Sequence, residues 1–251
     1  MNIFDGKKQF ASSRGSDGPI CRIPLTENEK ELHKATDEAP RMSDITWRIF
    51  RIMAEFVEGF QFLSTTSNEV TVFGSARLSS NSRWYAEAER LGGLLAKSGY
   101  TVVTGGGPGI MEAANKGAAL AGGVSVGLNI QLSREQRINP YVNHARAFYY
   151  FFTRKVILAA SAQAYVYFPG GFGTQDELFE ILTLIQTKKS EPIPVVLVGK
   201  DYWGGWLDWI ERTMYGEYDT VSREDLEIFQ IVDSAEEAFA IVKTSKERTF
   251  F

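Results

Sequence analysis

From Val70 onward, short apolar runs alternate with stretches whose apolar residues recur at helical spacing, and three of the runs end in glycine. This alternation constrains the fold more than any other feature. A strand that is apolar throughout is buried on both faces, and the helix-length segments between such strands are crossover connections. Strands are predicted at 70–73, 100–104, 124–128, 147–151, 165–168, 193–198 and 229–232. Helices are predicted at 84–97, 110–120, 153–160, 178–187, 203–214, 222–227 and 235–243. The fold class is α/β, a doubly wound, mainly parallel sheet with helices on both faces.

The 44% hydrophobic content is ample for a core of that kind. Upstream, Ile45, Ile49, Ile52, Met53, Phe56, Phe60 and Leu63 recur at helical spacing, which predicts an amphipathic helix over 43–63. Its apolar face is expected to cover the sheet or a partner subunit. Residues 1–40 are polar, with Gly, Ser and Pro and no periodicity, and read as an N-terminal arm. Residues 41–251 then form one nucleotide-binding domain.

Composition also removes function classes. A net charge of −4 gives no global basic field for nucleic acid. Cys21 is the one cysteine, so neither a disulfide framework nor a cysteine metal site is expected within the chain. His33 and His144 are the only histidines, too few for a zinc site or a Ser-His-Asp triad to be the first choice. No metal and no cofactor are expected. No apolar run is long enough to span a membrane, and 1–20 lacks a signal-peptide core, so the expected location is cytoplasmic.

The glycine junctions are Gly74-Ser75, Gly105 to Gly109 and Gly170 to Gly173, each at the carboxyl end of a predicted strand. In a doubly wound sheet, ligands bind outside those ends, so the three loops should share one crevice. Gly105-Gly-Gly-Pro-Gly109 is not a dinucleotide fingerprint, because it follows the second strand and Pro108 stiffens it. It lacks the Gly-Lys-Ser/Thr ending of a P-loop. A plain tight turn is the competing reading. Glu112 and Asn115 lie one turn apart behind it, where both can face the crevice; helix-dipole complementarity is the alternative for Glu112.

Pro169-Gly-Gly-Phe-Gly-Thr-Gln-Asp-Glu177 follows an apolar strand and precedes an apolar helical turn. Backbone N–H groups at such a helix start have no partner within the helix and attract anions. Thr174 can cap that helix, and Glu177 lies one turn further in. The apolar turn after Glu177 predicts that its carboxylate is partly buried and needs a partner, for which Arg154 is the candidate. Arg154-Lys155, beside Tyr149 to Phe152, is either a solvated pair or a phosphate or carboxylate clamp. Trp203, Trp206 and Trp209 read as a core or dimer stripe.

Taken together, Gly105 to Met111, the Arg154-Lys155 pair and the PGGxGTxxE run ending at Glu177 resemble the LOG family, the cytokinin riboside 5′-monophosphate phosphoribohydrolases long labelled lysine decarboxylases. The resemblance covers positions 68 to about 233. It implies a Rossmann-like fold, a homodimer or higher homo-oligomer, and hydrolysis of a nucleoside 5′-monophosphate to free base and ribose 5-phosphate. It places the catalytic roles on Arg154 and Glu177. Gly170, Gly171, Gly173 and Thr174 would hold the phosphate, and Gly107, Met111, Glu112 and Lys155 would line the nucleotide site. Two features depart from the plant pattern: Phe151-Phe152 stand where Met-His is common, and the N-terminal arm and helix are extra. Both leave the base open between a cytokinin and an AMP-like nucleotide. The alternative function is a carrier of a nucleotide or of molybdenum cofactor, which would need the loops and not the Arg154–Glu177 pair.

Overall fold

The computed structural model describes residues 42–131 and 138–246. The predicted arm, Cys21 and His33 lie outside them. Seven strands form one sheet: β1 Glu69–Phe73, β2 Thr101–Thr104, β3 Ser125–Ile130, β4 His144–Phe148, β5 Ala164–Tyr167, β6 Val195–Val198 and β7 Phe229–Val232. Their order is β4-β3-β2-β1-β5-β6-β7, and every pairing is parallel. The fold is α/β, Rossmann-like and doubly wound, as the alternation predicts.

Among the described residues the α-helices are α1 Met42–Leu63, α2 Arg83–Lys97, α3 Ile110–Leu120, α4 Phe151–Ala160, α5 Phe172–Gln186, α6 Lys200–Trp209 and α7 Ala235–Val242. Alternation along each strand splits the core into two layers. Val70, Val72, Val102, Val166 and Val196 point to the side covered by α2, α3 and α7. Phe73, Val103, Tyr165, Tyr167 and Leu197 point to the side covered by α1, α4, α5 and α6.

Strands β1 and β5 are neighbours, and from them the chain winds outward in opposite directions. Their carboxyl ends are therefore the switch point, where the following loops diverge and leave a crevice. Backbone bonds tie the loops that rim it. The Ser75 N–H donates to the Pro169 carbonyl at 3.0 Å, and the Ile110 N–H donates to the Ser75 carbonyl at 3.1 Å. Gly109 has φ 72°, and a β-carbon there would run into the Ser75 carbonyl, so the loop after β2 requires glycine at that point.

Four predicted elements change their bounds or type. The fourth strand is His144–Phe148 rather than 147–151. It is an edge strand with its first residues exposed, so His144 and Arg146 hide its start, while the aromatic residues from Tyr149 belong to a turn and the start of α4. The helix predicted from Leu178 begins at Phe172 and takes in Gly173 and Thr174. The helix predicted over 203–214 begins at Lys200 and passes into a π-helical stretch, Ile210–Glu217. The segment predicted over 222–227 is a 3-10 turn, Glu224–Glu227. Trp203 is fully buried, Trp206 packs on Phe179 and Phe229, and Trp209 is exposed.

Helix α1 packs on α4 through one stripe, with Glu55, Gly59 and Leu63 buried. A β-carbon at Gly59 would lie 2.7 Å from Ile157, so the two helices cross closely there. Its other apolar residues Ile45, Ile49 and Met53, with Trp47, Phe50 and Val57, are exposed.

Candidate active site

Helices α4 and α5 both begin at the carboxyl edge of the sheet, and each contributes its first turns to the crevice. Arg154 is in the first turn of α4 and Glu177 in the second turn of α5. Their closest atoms, Arg154 Nη2 and Glu177 Oε1, are 4.0 Å apart. Lys155 bridges the same helices, 2.7 Å from Asp176 and 3.2 Å from Glu180. The predicted neighbours on α4 and α5 thus lie together.

Electrostatics make this pair unusual. Glu177 is 5% exposed. Burial pushes its carboxyl up from the ordinary 4.5 to about 7, although Lys155 and Arg154 pull it back toward ionisation. Burial also lowers the Arg154 guanidinium, against the pull of Glu177 and Asp176. The Nε of Arg154 is buried and has no hydrogen-bond partner among the described residues. Burial works against the Lys155 ammonium too, but Asp176, Glu177 and Glu180 outweigh it and raise its pKa. A buried carboxyl that titrates near neutrality beside two cations is a common arrangement at catalytic centres.

The glycine loops surround this pair. A β-carbon at Gly105 would lie 2.9 Å from Met111 Sδ and 3.7 Å from Arg154 Nη1, so the loop after β2 rests against the arginine. Gly107 is held from behind, its carbonyl accepting from Asn139 Nδ2 at 3.1 Å. On the α5 side, Gly171 is the N-cap residue and no side chain caps the helix. The expected cap from Thr174 is absent: Thr174 sits inside the first turn and is buried. A β-carbon at Gly170 would collide with the Thr174 hydroxyl, so that close approach requires glycine. The Gly170 carbonyl accepts from the Tyr202 hydroxyl on α6. Gly171 and Gly173 face open space. The first N–H groups of α5 therefore stand at the crevice without a side-chain acceptor.

One expectation about α3 changes. Asn115 does not face the crevice. It is fully buried, and its Oδ1 accepts from Thr104 Oγ1 at 2.6 Å and from Asn139 Nδ2 at 2.9 Å. The Thr104 hydroxyl also accepts from the Gly106 N–H at 2.9 Å, so this network shapes the glycine loop from within the core. Glu112 accepts from the Tyr85 hydroxyl of α2 at 3.0 Å, which directs it toward α2.

Sequence reasoning missed Glu55, Tyr202 and Asn139. Tyr202 and Asn139 carry no local signal. Glu55 does carry one: it is an acid on the buried stripe of an amphipathic helix, a position that demands a partner.

A switch-point crevice rimmed by glycine loops, an uncapped helix start and a buried cation–carboxylate pair define a doubly wound protein of the class that binds ligands at the carboxyl ends of its strands. Residues 111–242 match a family model described as a possible lysine decarboxylase, and the chain belongs to that family, the LOG family of the sequence resemblance. The probable cytokinin riboside 5′-monophosphate phosphoribohydrolase LOGL5 of Oryza sativa subsp. japonica is 31% identical over 150 residues, covering 58% of this chain and 60% of that protein. The pyrimidine/purine nucleotide 5′-monophosphate nucleosidase of Escherichia coli K12 is 30% identical over 148 residues, covering 53% of this chain and 31% of that protein. Both matches thus span less than two thirds of the relative's length. Among solved structures, the molybdenum cofactor carrier protein of Chlamydomonas reinhardtii aligns with a TM-score of 0.52 at 25% identity, over 70% of this chain and 95% of its own. The structural-genomics target TM1055 aligns at 0.54 and 29% identity, over 70% of this chain and 98% of its own.

Proposed function

We propose that this protein hydrolyses the N-glycosidic bond of a nucleoside 5′-monophosphate, releasing the free base and ribose 5-phosphate. The observation that carries this reading is the buried Arg154–Glu177 pair, 4.0 Å apart beside the open start of α5. A carrier needs the loops alone. Burying a carboxylate is costly unless cations compensate it, and Lys155 and Arg154 compensate Glu177 only in part. The two relatives named for nucleotide chemistry support the same reading.

The 5′-phosphate sits at the N–H groups of Gly171 to Gly173, with Lys155 adding positive charge nearby. The ribose then lies over Glu177. Breaking the C1′–N bond builds positive charge on C1′, as in other glycoside hydrolyses, and the ionised Glu177 stabilises it. Glu177 also takes a proton from the attacking water as its oxygen bonds to C1′. The C1′–N electron pair leaves with the base, which takes a proton from solvent, and Glu177 returns the proton it accepted to solvent. Lys155 and Arg154 favour the ionised form of Glu177 against its burial, Arg154 also orients it, and the unpartnered Arg154 Nε is a donor for the substrate. Phe151 is 54% exposed, and its ring centre lies 5.3 Å from the Arg154 guanidinium carbon, so it offers the base a flat apolar face.

This scheme routes no step through a metal or cofactor. The older decarboxylase label finds no Schiff-base lysine in the crevice, where Lys155 is engaged by Asp176 and Glu180. The exposed apolar residues of α1 support a homo-oligomer. No helix of the described residues is long and apolar enough to cross a membrane. We read the protein as a cytoplasmic enzyme acting on a free nucleotide, not on nucleic acid.

Incubation with a panel of purine, pyrimidine and cytokinin nucleoside monophosphates, with free base scored by chromatography, tests this directly. Release of base supports the hydrolase. Binding without release from any of them favours the carrier, the reading that the structural likeness to the molybdenum cofactor carrier supports.

A further inference from the structure

Helix α4 carries Arg154 in its first turn, yet its own N-cap residue, Tyr150, supplies no capping side chain. The residues that lead into α4 are held instead from α1. Glu55 is 7% exposed and spends both oxygens on the start of α4. Its Oε1 accepts from the Tyr149 N–H at 2.7 Å. Its Oε2 accepts from the Tyr150 N–H at 3.3 Å and from the Thr153 hydroxyl at 2.6 Å. Thr153 is fully buried and immediately precedes Arg154.

We infer that Glu55 is a positioning residue: from the N-terminal helix, it fixes the first turn of α4 and through it the guanidinium of Arg154. Three points carry this beyond ordinary capping. A serine or aspartate at position 150 would bond N–H groups inside the first turn, whereas Glu55 bonds those of Tyr149 and Tyr150 before it. The bonds hold the two residues before the turn and the third residue within it, so its orientation as well as its helicity is set. The neighbouring contacts of α1 hold the same turn, with the Arg51 guanidinium 4.0 Å above the Tyr149 ring and that of Arg48 5.6 Å above the Tyr150 ring. One turn further along α1, Gly59 seats against Ile157 and Phe148, which fixes Glu55 relative to α4. The extra helix is therefore part of the site's frame. A carboxylate is needed because three donors converge on it. Glutamine keeps the shape but has a single acceptor oxygen, and turns an N–H₂ toward donors.

The inference rests on Arg154 belonging to the site, so its test reads Arg154 by a route independent of catalysis. In the full-length protein, Glu55→Gln is compared with wild type by three measurements. These are amide exchange at Tyr149 and Tyr150, the NMR signal of the Arg154 Nε–H, and steady-state kinetics on the best nucleotide. The expected result is amide exchange faster by about tenfold or more, a shifted or broadened Arg154 signal, and kcat lower by about tenfold or more with KM within about threefold, since misplacement costs turnover before binding. An unchanged Arg154 signal with unchanged kcat overturns the inference. Thr153→Val removes the hydroxyl's contacts with Glu55 and with the Tyr150 carbonyl but keeps both backbone bonds to Glu55, and it decides the matter if Glu55→Gln does not fold: the same signal must move and kcat must fall, and no change in either refutes positioning. If wild type releases no base from any nucleotide, the hydrolase reading fails, and the Arg154 signal still decides whether Glu55 positions it.

Discussion

The Nη2 of Arg154 lies 4.0 Å from the Oε1 of Glu177, inside ion-pair range and beyond hydrogen-bond range. Burial raises the titration of the carboxyl to about 7, and Lys155 and Arg154 compensate it only in part. Catalytic contacts of this kind are often long without substrate and tighten when it binds. Several expected outcomes depend on this relationship.

Removing the charge at Glu177 should abolish turnover and spare binding. Glu177→Gln keeps the side-chain shape and loses both the electrostatic and the proton-accepting role. We expect kcat to fall by at least about 100-fold, with nucleotide affinity by calorimetry within a few-fold of wild type. Full activity in this variant would remove Glu177 from the mechanism.

The acidic limb of the kcat/KM profile should fall at about 7, where Glu177 titrates in the free protein. Below it the carboxyl is protonated and activity is lost. A limb near a pH of about 6 would report the substrate phosphate instead. A rate that is flat down to the ordinary carboxylate range would contradict an ionised Glu177.

Stability should carry the same signature. The folded protein prefers the protonated carboxyl, because its pKa rises from 4.5 to about 7 on burial. The stabilising contribution is fully present below 4.5 and is lost as pH rises through about 7. Over that window it amounts to roughly 3 kcal/mol. Urea unfolding of wild type and Glu177→Gln at several pH values should diverge by about this amount, with wild type relatively weaker at the alkaline end. Parallel curves would show that Glu177 is not buried as described.

Much of this was legible in the sequence, because its signals are local. Helix α3, Ile110–Leu120, and strand β7, Phe229–Val232, fall where apolar periodicity places them. The three glycine junctions meet because strand ends of a parallel sheet must. The start of α5 was not legible: Gly171, Phe172 and Gly173 have poor helical propensity, and the turn is held by the burial of Thr174 and Glu177. Strand β4 was shifted because an edge strand exposes His144. Asn115 looked like a crevice residue at its i, i+3 spacing from Glu112. Only the partners Thr104 and Asn139, on other elements, show it to be core. Glu55 acts on backbone groups 94 positions away, which no periodicity encodes.

The loop between β5 and α5 tolerates no side chain at Gly170. Gly170→Ala places a methyl against the Thr174 hydroxyl and must displace either the loop or the helix start. We expect a loss of stability of about 1–3 kcal/mol and a higher KM for the nucleotide, measured by thermal unfolding and initial rates. An unchanged KM would mean that this loop does not hold the phosphate.

Phe151 is mostly exposed, so its truncation should leave the fold intact. If the base stacks on its ring, Phe151→Ala raises KM by about tenfold, the equivalent of a modest stacking energy. Product inhibition by ribose 5-phosphate, which lacks a base, should not change. Equal effects on both would assign Phe151 to another role.

The most direct measurement compares AMP with adenosine under identical conditions and quantifies free adenine and ribose 5-phosphate. If the start of α5 positions the ribose by holding the 5′-phosphate, remote binding energy accelerates the chemical step. The nucleotide is then cleaved at least about 100-fold faster than the nucleoside, with base and sugar phosphate released in equal amounts. Equal rates for the two would contradict a phosphate site at Gly171 to Gly173 that works together with Glu177.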